Sequence, residues 1–224
     1  MVVGGVKPPA ATVKHVPLQQ LAQALRHLLP PGAAVAATDP KVDHPAFPGE
    51  IIAAIPARRR EFAAGRAALR AAMAELGLPP VAVPMRPDRA PDLPPGLAAS
   101  ITHGATACLA AAMRGPRALG IDLEEDAALP HELRDIILTP AERAVTHVDP
   151  SAARLIFAAK EAFYKAQYPI TGTLLDFQAV EISLMDQRFV ATLRSPVPGL
   201  PTGVAISGRW VRAAEHLLTA VVID

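Results

Sequence analysis

The most informative stretch of this sequence reads Gly120-Ile121-Asp122-Leu123-Glu124. Its alternation of apolar and acidic residues predicts a β-strand, in which successive side chains point to opposite faces. Ile121 and Leu123 then face a core, and Asp122 and Glu124 share the other face. Two carboxylates this close repel each other unless a cation lies between them, and Mg²⁺ binds such oxygen ligands. The pattern indicates either a metal site or a solvated edge strand, and the pair alone does not decide between them.

A predicted helix over residues 152–168 carries the next group of charged side chains, in the segment KEAFYKA at 160–166. Glu161 and Lys165 are four residues apart and therefore share one face of a helix. One interpretation is an ordinary surface ion pair. The other is a third carboxylate for the metal, with Lys160 and Lys165 supplying cationic contacts to phosphate groups.

The segment Ser-Ile-Thr-His-Gly at 100–104 ends a predicted strand in a glycine turn. His103 is either a plain turn residue or a donor to a phosphate, since both ring nitrogens donate when the imidazole is protonated. Cys108, in the next apolar run, is interpreted as a small core residue rather than a nucleophile.

Arginines are concentrated in the front half of the chain. A predicted helix over residues 57–76 carries Arg58, Arg59 and Arg66 near its start, where positive charge opposes the helix dipole. This placement indicates either a solvated charged face or an anion-binding site. Residues 84–96 contain five prolines, which predicts a stiff loop. The loop presents two more arginines, Arg86 and Arg89.

The order of the elements predicts an α+β fold. Besides the two helices above, residues 18–28 have helical periodicity. Strand-like runs occupy residues 33–37, 98–102, 108–113, 117–124, 177–185, 188–194, 203–212 and 216–223. We therefore expect two similar α/β lobes related by a pseudo-twofold axis, each with helices packed on a small, mainly antiparallel sheet. The predicted lobes are residues 1–115 and 116–224, with a functional seam between them.

Length, charge and composition exclude several functional classes. The 224 residues suffice for one large domain or two small ones. A formal net charge of +1 excludes a globally basic nucleic-acid binder, and one cysteine excludes an internal disulfide. No apolar run reaches the roughly 18 residues that span a bilayer. Met1–Pro9 has no hydrophobic segment of signal-peptide length, so we expect a cytoplasmic protein.

The order of these segments resembles the 4′-phosphopantetheinyl transferase superfamily. The motifs that carry the resemblance are Arg58-Arg59-x-Glu-Phe-x-x-x-Arg66, Ser-Ile-Thr-His at 100–103, Gly-Ile-Asp-Leu-Glu at 120–124 and Lys-Glu-Ala-x-x-Lys-Ala at 160–166. The resemblance extends from about Arg58 to Asp176. The chain length and the arginine-rich front half are similar to the longer, two-lobed branch that includes the enterobactin- and surfactin-synthetase activators.

This resemblance implies an enzyme that transfers the 4′-phosphopantetheine arm of coenzyme A to a serine of an apo acyl or peptidyl carrier protein. The other product would be 3′,5′-adenosine bisphosphate. Mg²⁺, or Mn²⁺ in its place, would be held by Asp122, Glu124 and Glu161. The catalytic group would be Asp122, Glu161 and Lys165, with Glu161 accepting the serine proton directly or through a metal-bound water. Coenzyme A would be bound by residues of both lobes: Arg58, Arg59, Arg66, Arg86, Arg89, His103, Lys160 and Lys165.

The resemblance also implies a division of labour between the lobes. Residues 1–115 would bind the 3′-phosphate and adenine, while 116–224 would hold the metal and dock the carrier protein through 133–147. The apolar residues of that segment serve either docking or the core: Leu133, Ile136, Ile137 and Leu138. The protein would be a monomer that serves siderophore, polyketide, non-ribosomal peptide or fatty-acid carriers. The alternatives are another Mg²⁺-dependent nucleotide or phosphoanhydride enzyme, and a catalytically silent carrier-binding subunit.

Overall fold

A computed structural model describes residues 17–146 and 149–224 of the chain. Met1–Pro9 and the last residue of the segment 133–147 therefore lie outside the described residues. The elements in chain order are α1 (Leu18–Leu28), β1 (Ala34–Thr38), α2 (Pro56–Glu75), β2 (Leu97–His103), β3 (Cys108–Arg114), β4 (Ala118–Glu125), α3 (His131–Ile137), α4 (Pro140–Thr146), α5 (Pro150–Thr171), β5 (Val180–Met185), β6 (Arg188–Leu193), β7 (Ala205–Ala213) and β8 (His216–Ile223).

The strands form two antiparallel sheets. One sheet has three strands in the order β1-β3-β2, and the other has five strands in the order β4-β8-β7-β6-β5. The predicted α+β class, with helices packed on small antiparallel sheets, is confirmed. The division of the chain at residues 115 and 116 stays a prediction, and α1 contacts strands of both sheets.

Alternation along the strands divides the core into three apolar layers. On β3, Ala110 and Ala112 face α2, which packs there through Leu69 and Met73. The neighbouring Leu109 points the opposite way, into a second layer that α1 covers. Helix α5 covers the other face of the five-stranded sheet in the third layer. Small alanines let the helices approach the sheets closely, so a chain with 4% aromatic residues still fills its core.

Helix α5 is longer than the predicted 152–168. At its start, the Asp149 side chain caps the helix by accepting a hydrogen bond from the Ser151 N–H at 2.9 Å. At its end, the helix continues past Pro169 to Thr171 and stops at Gly172, whose φ of 61° is left-handed. A proline this close to the helix end removes a single backbone hydrogen bond, so it does not terminate the helix.

Candidate active site

A glycine allows helix α5 to lie directly on β4. A Cβ atom at Gly120 would lie 1.9 Å from the carbonyl oxygen of Ala162 and 2.7 Å from the amide nitrogen of Ala166. Any larger residue would therefore push the helix backbone away from the strand. Both alanines are fully buried at this contact. The glycine and the two alanines thus set the distance between the strand that carries Asp122 and the helix that carries Glu161.

Asp122 lies on the face of β4 that α5 covers, and its side chain is buried. Lys165 Nζ contacts Asp122 Oδ1 at 2.6 Å, and Thr102 Oγ1 on β2 donates to the same oxygen at 3.0 Å. The second oxygen, Oδ2, is buried and has no hydrogen-bond partner among the described residues. An unpaired buried carboxylate oxygen is costly, so it indicates a position where a cation or a ligand donor binds.

Two more carboxylates flank Asp122. Burial raises the pKa of Glu161, Lys165 opposes this effect, and the charge of Asp122 adds to it. Burial and the charge of Asp122 also raise the pKa of Glu124, although Arg154 contacts Glu124 Oε2 at 2.8 Å and acts in the opposite direction. Lys165 and Arg154 therefore only partly offset burial and the crowded negative charge, and the pKa values of both carboxyls stay raised.

Lys165 reaches across to β4 rather than along its own helix. Its Nζ donates to Asp122 Oδ1 and, at 3.1 Å, to the carbonyl oxygen of Ile121. The ordinary surface ion pair between Glu161 and Lys165, one of the two interpretations of the sequence, is therefore wrong. Lys165 is three-quarters buried between the helix and the strand, next to the predicted metal ligands.

The donor atoms fit a divalent cation with an open coordination sphere. Within residues 17–146 and 149–224, no group of three or more His, Cys, Asp or Glu side chains is arranged to hold a metal ion. Mg²⁺ commonly uses one or two carboxylates and completes its coordination with water and substrate phosphates. The unpaired Oδ2 of Asp122 and the raised pKa of Glu161 suit that chemistry. The ligand set Asp122, Glu124 and Glu161 stays a prediction.

Lys160 lies outside this cluster. Its buried Nζ donates to Glu142 Oε2 at 2.7 Å and to the carbonyl oxygens of Ile137 at 2.7 Å and Phe177 at 2.8 Å. An ammonium group has three donors, so none remains for a phosphate. Five positions separate Lys160 from Lys165, which places them about 140° apart around the helix. This corrects the expectation that Lys160 contacts coenzyme A.

In the front half of the chain, Arg58 and His103 meet. Arg58 Nη1 lies 2.5 Å from His103 Nε2 at the end of β2 and also contacts Glu61 at 3.1 Å. Partial loss of water around the ring, followed by the charge of Arg58, lowers the pKa of His103. His103 therefore accepts the hydrogen bond as a neutral imidazole. Lys165 also lowers this pKa, so the pair lies near the cluster around Asp122.

Arg66 on α2 is buried beside the start of the proline-rich loop. Its Nε donates to the carbonyl oxygen of Val83 at 2.7 Å, and its guanidinium lies 4.2 Å from the centre of the Phe62 ring. Burial lowers the pKa of Arg66 to about 10. Glu50 accepts the Val83 N–H at 2.9 Å, so the N–H and the carbonyl oxygen of Val83 are both hydrogen-bonded just before the proline-rich loop. Direct contact of Arg66 with coenzyme A stays a prediction.

The proline-rich loop reaches helix α5. Arg86 contacts Asp88 at 3.2 Å within the loop, and loss of water and then the charge of Asp88 raise the pKa of Tyr168 on α5. Arg86 is close enough to Tyr168 to affect its ionisation, so the structure brings this predicted coenzyme A residue near the helix that carries Glu161. Two other predicted contacts are exposed: Arg59 and Arg89.

Two hydroxyl residues at the junction of the sheets were not among the predicted site residues. Ser100 Oγ accepts the Ile121 N–H at 3.1 Å, and Thr102 Oγ1 accepts the Leu123 N–H at 3.2 Å. Their spacing of two along an otherwise apolar strand is the signal that could have revealed a polar face. Through these two hydroxyls, β2 contacts one edge of β4, the strand that carries Asp122.

Cys108 is a core residue, as predicted. It is completely buried, and burial raises the pKa of its thiol to about 12. A thiol with that pKa is protonated at neutral pH, so it is not a nucleophile.

An apolar cavity of about 160 Å³ lies beside Glu161. Its walls come from α5 and from the segment before β5, and include Phe163, Tyr164, Leu174, Leu175 and Phe177. The charged cluster at β4 is therefore bordered by an apolar space on the side of α5 that faces β5.

The predicted docking segment is divided between core and surface. Ile137 and Leu138 are buried, whereas Ile136 is 59% exposed and Leu133 is exposed as well. A second cavity, of about 210 Å³, lies between α3 and α4 and is lined partly by Arg134. Of these four apolar residues, a carrier-protein surface on α3 would use only Leu133 and Ile136, and this role stays a prediction.

Comparisons with known proteins identify the family of the chain. A family model described as the 4′-phosphopantetheinyl transferase N-terminal domain matches residues 47–113, and one described as the 4′-phosphopantetheinyl transferase superfamily matches residues 118–198. The chain belongs to the 4′-phosphopantetheinyl transferase superfamily. The first matched segment contains Arg58 and His103, and the second contains Asp122, Glu161 and Lys165. The family suggested by the motifs is therefore confirmed.

Curated relatives agree with this assignment. The 4′-phosphopantetheinyl transferase Svp of Streptomyces mobaraensis is 36% identical over 79% of this chain and 78% of its own length. The 4′-phosphopantetheinyl transferase Npt of Nocardia iowensis is 36% identical over 80% of this chain and 88% of its own length. Enterobactin synthase component D of Salmonella typhi is 30% identical over 73% of this chain and 71% of its own length. Among the described residues of this superfamily member, no helix is both long and apolar enough to cross a membrane.

Proposed function

We propose that this superfamily member transfers the 4′-phosphopantetheine arm of coenzyme A to a serine hydroxyl of an apo carrier protein and releases 3′,5′-adenosine bisphosphate. The observation that supports this most strongly is the cluster between β4 and α5. There Asp122 presents an unpaired buried oxygen beside Lys165 and Glu161. Membership of the family supports the class of reaction.

In the proposed reaction, the serine oxygen bonds to the phosphorus that carries the pantetheine arm. The bond from this phosphorus to the oxygen that bridges the two phosphates breaks, and the electron pair leaves with the adenosine bisphosphate. Glu161 would accept the serine proton, directly or through a water. Lys165 supplies positive charge beside the phosphates, where negative charge shifts during the transfer.

Asp122, Glu124 and Glu161 would hold Mg²⁺ in this proposal, and Mn²⁺ would replace it. The cation supplies charge neutralisation for the phosphate oxygens. Glu124 must share its carboxylate between the cation and Arg154, which contacts it at 2.8 Å. Asp122 provides the most direct ligand, since its Oδ2 has no partner to give up.

The front lobe would bind the 3′-phosphate of coenzyme A near Arg58, His103 and Arg86. A phosphate beside His103 would favour its protonated form, in which both ring nitrogens donate. The uncharged pantetheine arm carries no group that needs this cationic surface. The apolar cavity beside Glu161 suits such an arm, because it offers apolar walls close to the proposed transfer site.

The test is intact-mass spectrometry of purified apo carrier proteins incubated with the protein, coenzyme A and Mg²⁺. We expect the carrier mass to increase by one phosphopantetheine group. Glu161→Gln should slow the transfer by about 10²–10⁴-fold, because the proton acceptor is lost. Asp186→Asn, an exposed carboxylate in the turn between β5 and β6, should leave the rate unchanged. The proposal would be refuted if none of the carrier proteins tested gained this mass.

The same assay separates the two alternative functions. A phosphoanhydride hydrolase would consume coenzyme A in the absence of any carrier protein. A silent carrier-binding subunit would form a complex with the carrier but would leave its mass unchanged. We expect neither outcome, since consumption of coenzyme A should require the carrier and should match the amount of adduct formed.

The proposed setting is a monomer in the cytoplasm that serves carrier proteins of secondary metabolism. The similarity to a protein named enterobactin synthase component D supports the inclusion of siderophore carriers in the panel. Polyketide, non-ribosomal peptide and fatty-acid carriers complete it. The relative rates on these four kinds of carrier identify the pathway served, and size-exclusion chromatography with light scattering checks the monomer.

A further inference from the structure

The edge of β4 that faces the front lobe is completed by side chains rather than by a neighbouring strand. In its sheet β4 pairs only with β8. On the opposite edge, the N–H groups of Ile121 and Leu123 donate to the hydroxyls of Ser100 and Thr102. Both hydroxyl residues are buried. Unpaired buried N–H groups are costly, so these two hydroxyls stabilise the junction of the sheets.

The two hydroxyls differ in where their protons go. Thr102 Oγ1 donates to Asp122 Oδ1 at 3.0 Å while it accepts the Leu123 N–H. Among the described residues, Ser100 makes no hydrogen bond to a carboxylate. The pair therefore offers a built-in comparison, because both residues join the sheets but only Thr102 contacts the candidate site.

Thr102 and Lys165 hold the same oxygen of Asp122 from two different elements. Thr102 lies on β2 and Lys165 lies on α5, and both contact Oδ1, at 3.0 and 2.6 Å. A carboxylate is planar, so two donors fixed on one oxygen restrict its rotation and thereby fix the direction of the other oxygen. The oxygen left over is Oδ2, which is buried and unpaired.

We propose that Thr102 is a positioning residue that aims Asp122 Oδ2 at the divalent cation. This inference rests on the proposed function, because that function supplies the cation. Groups that orient a metal ligand typically contribute 10- to 100-fold to metal affinity. Thr102 thereby makes the front lobe part of the cation site, although its side chain does not itself touch the cation.

The test is the affinity for Mn²⁺, measured by electron paramagnetic resonance on the full-length protein without substrates. Thr102→Val keeps the shape of the side chain and removes the hydroxyl, so Mn²⁺ should bind about 10- to 100-fold more weakly. Thr102→Ser restores the hydroxyl and should bind Mn²⁺ within about threefold of the wild type, a margin well inside the loss expected of the valine variant. Ser100→Ala is the matched control, because it removes the neighbouring junction hydroxyl and should leave the Mn²⁺ affinity unchanged.

Stability measurements separate positioning from loosening of the junction. Thr102→Val and Ser100→Ala each leave one backbone N–H without its partner, so their urea unfolding midpoints should fall by similar amounts. If Thr102→Val does not fold, Thr102→Ala replaces it, since the smaller side chain leaves room for a water at the Leu123 N–H. Wild-type Mn²⁺ affinity in the folded variant that lacks the hydroxyl would overturn the proposal.

Two further outcomes would also overturn it. One is an equal loss of Mn²⁺ affinity in Ser100→Ala, which would indicate a general loosening. The other is a wild-type protein that binds no Mn²⁺ yet modifies carrier protein, which would leave the transfer proposal standing. Conversely, weaker Mn²⁺ binding in the variant, together with no carrier modification by the wild type, would support the role of Thr102 and refute the proposed function.

Discussion

Two lysines of one short motif have opposite surroundings in this protein. Lys160 is buried with all three of its protons donated, and its partner Glu142 also accepts the N–H groups of Thr139 and Ile182, each at 2.7 Å. Lys165 is only three-quarters buried, and its partner Asp122 keeps one oxygen unpaired. Lys160–Glu142 and Lys165–Asp122 are both close ion pairs, yet only in the first is every buried donor and acceptor hydrogen-bonded, and we call that pair saturated.

The difference distinguishes an ion pair that holds the fold from one that belongs to a site. A saturated buried pair has no free donor or acceptor for a ligand, and its removal leaves buried charge without a partner. An unsaturated pair costs stability in the free protein and gains its missing contact when a cation or substrate binds. This count of partners supports a structural role for Lys160 and the proposed site role of Lys165.

The largest expected effect comes from replacing each lysine by methionine. Lys160→Met should lower the free energy of unfolding by about 3–5 kcal/mol, because Glu142 stays buried without its cation. Lys165→Met should cost only about 1–2 kcal/mol, since Lys165 is partly exposed and Asp122 keeps its hydrogen bond from Thr102. Urea denaturation measures both values. The comparison breaks down if the two variants lose equal stability.

Activity should show the reverse order. Where Lys160→Met remains folded, we expect a transfer rate close to that of the wild type, whereas Lys165→Met should lose at least about 100-fold. The assay is the carrier-protein mass assay at a temperature where both variants are folded. A folded Lys160→Met protein with no activity would place Lys160 in the site after all.

A smaller effect is expected from the contact that brings Lys165 to Asp122. Gly120→Ala adds a Cβ that would lie 1.9 Å from the backbone of α5, and backbone cannot move aside as a flexible side chain can. We expect a loss of about 1–3 kcal/mol in unfolding free energy, together with reduced transfer activity.

Gly104→Ala is the matched control for this substitution. The added Cβ would find its nearest neighbours at 3.9 Å, which is ordinary van der Waals contact. Its stability should stay within about 0.5 kcal/mol of the wild type in the same denaturation experiment. Equal effects of the two glycine variants would contradict a specific role for the close approach of α5 to β4.

The smallest expected effect extends the comparison to α2, where Arg58 contacts the neutral imidazole of His103. Arg58→Ala should raise the pKa of His103 toward its usual value of about 6.5, because a neighbouring positive charge is removed. Titration of the imidazole protons by nuclear magnetic resonance measures the shift. Arg60→Ala, which removes an exposed charge two residues along the same helix, is the control.

The sign of the pH effect on stability follows from the same shift. His103 has a lower pKa in the folded protein than in the unfolded chain, so the unfolded chain binds more protons between these two values. The free energy of unfolding should therefore fall as the pH drops from about 6.5 toward the pKa of the folded protein. Arg58→Ala should weaken this dependence, and an unchanged pH profile would argue against the contact.

Helices and strands were predictable from the sequence because their periodicity depends on neighbouring residues. The predicted helix 18–28 and the strands 108–113 and 216–223 lie within one residue of α1, β3 and β8. The end of α5 was not predictable from Pro169, since the cost of a proline depends on how much helix follows it. Helical spacing also accounts for the buried side of α5, which is formed by Leu155, Ile156, Ala159, Phe163 and Ala166.

The candidate site was only partly predictable. Spacing along β4 predicted that Asp122 and Glu124 share a face, and the structure brings Glu161 and Lys165 to that face. Spacing did not predict that Lys165 would choose Asp122 over Glu161, because the nearer partner in sequence competes with one 43 positions away. The contact of Thr102 was missed for the same reason, since its partner Asp122 lies 20 positions later in the chain.

The sequence by itself determined the elements of this protein, the chemistry of its motifs and the family to which it belongs. These properties depend on residue type and on spacings of two to four positions, and both are visible in the sequence alone. Only the tertiary structure decided which lysine is saturated, which carboxylate oxygen is left unpaired and which hydroxyls join the sheets. Those outcomes depend on the packing of α5 on β4 and of β2 beside it, where partners distant in sequence compete for the same few donors and acceptors.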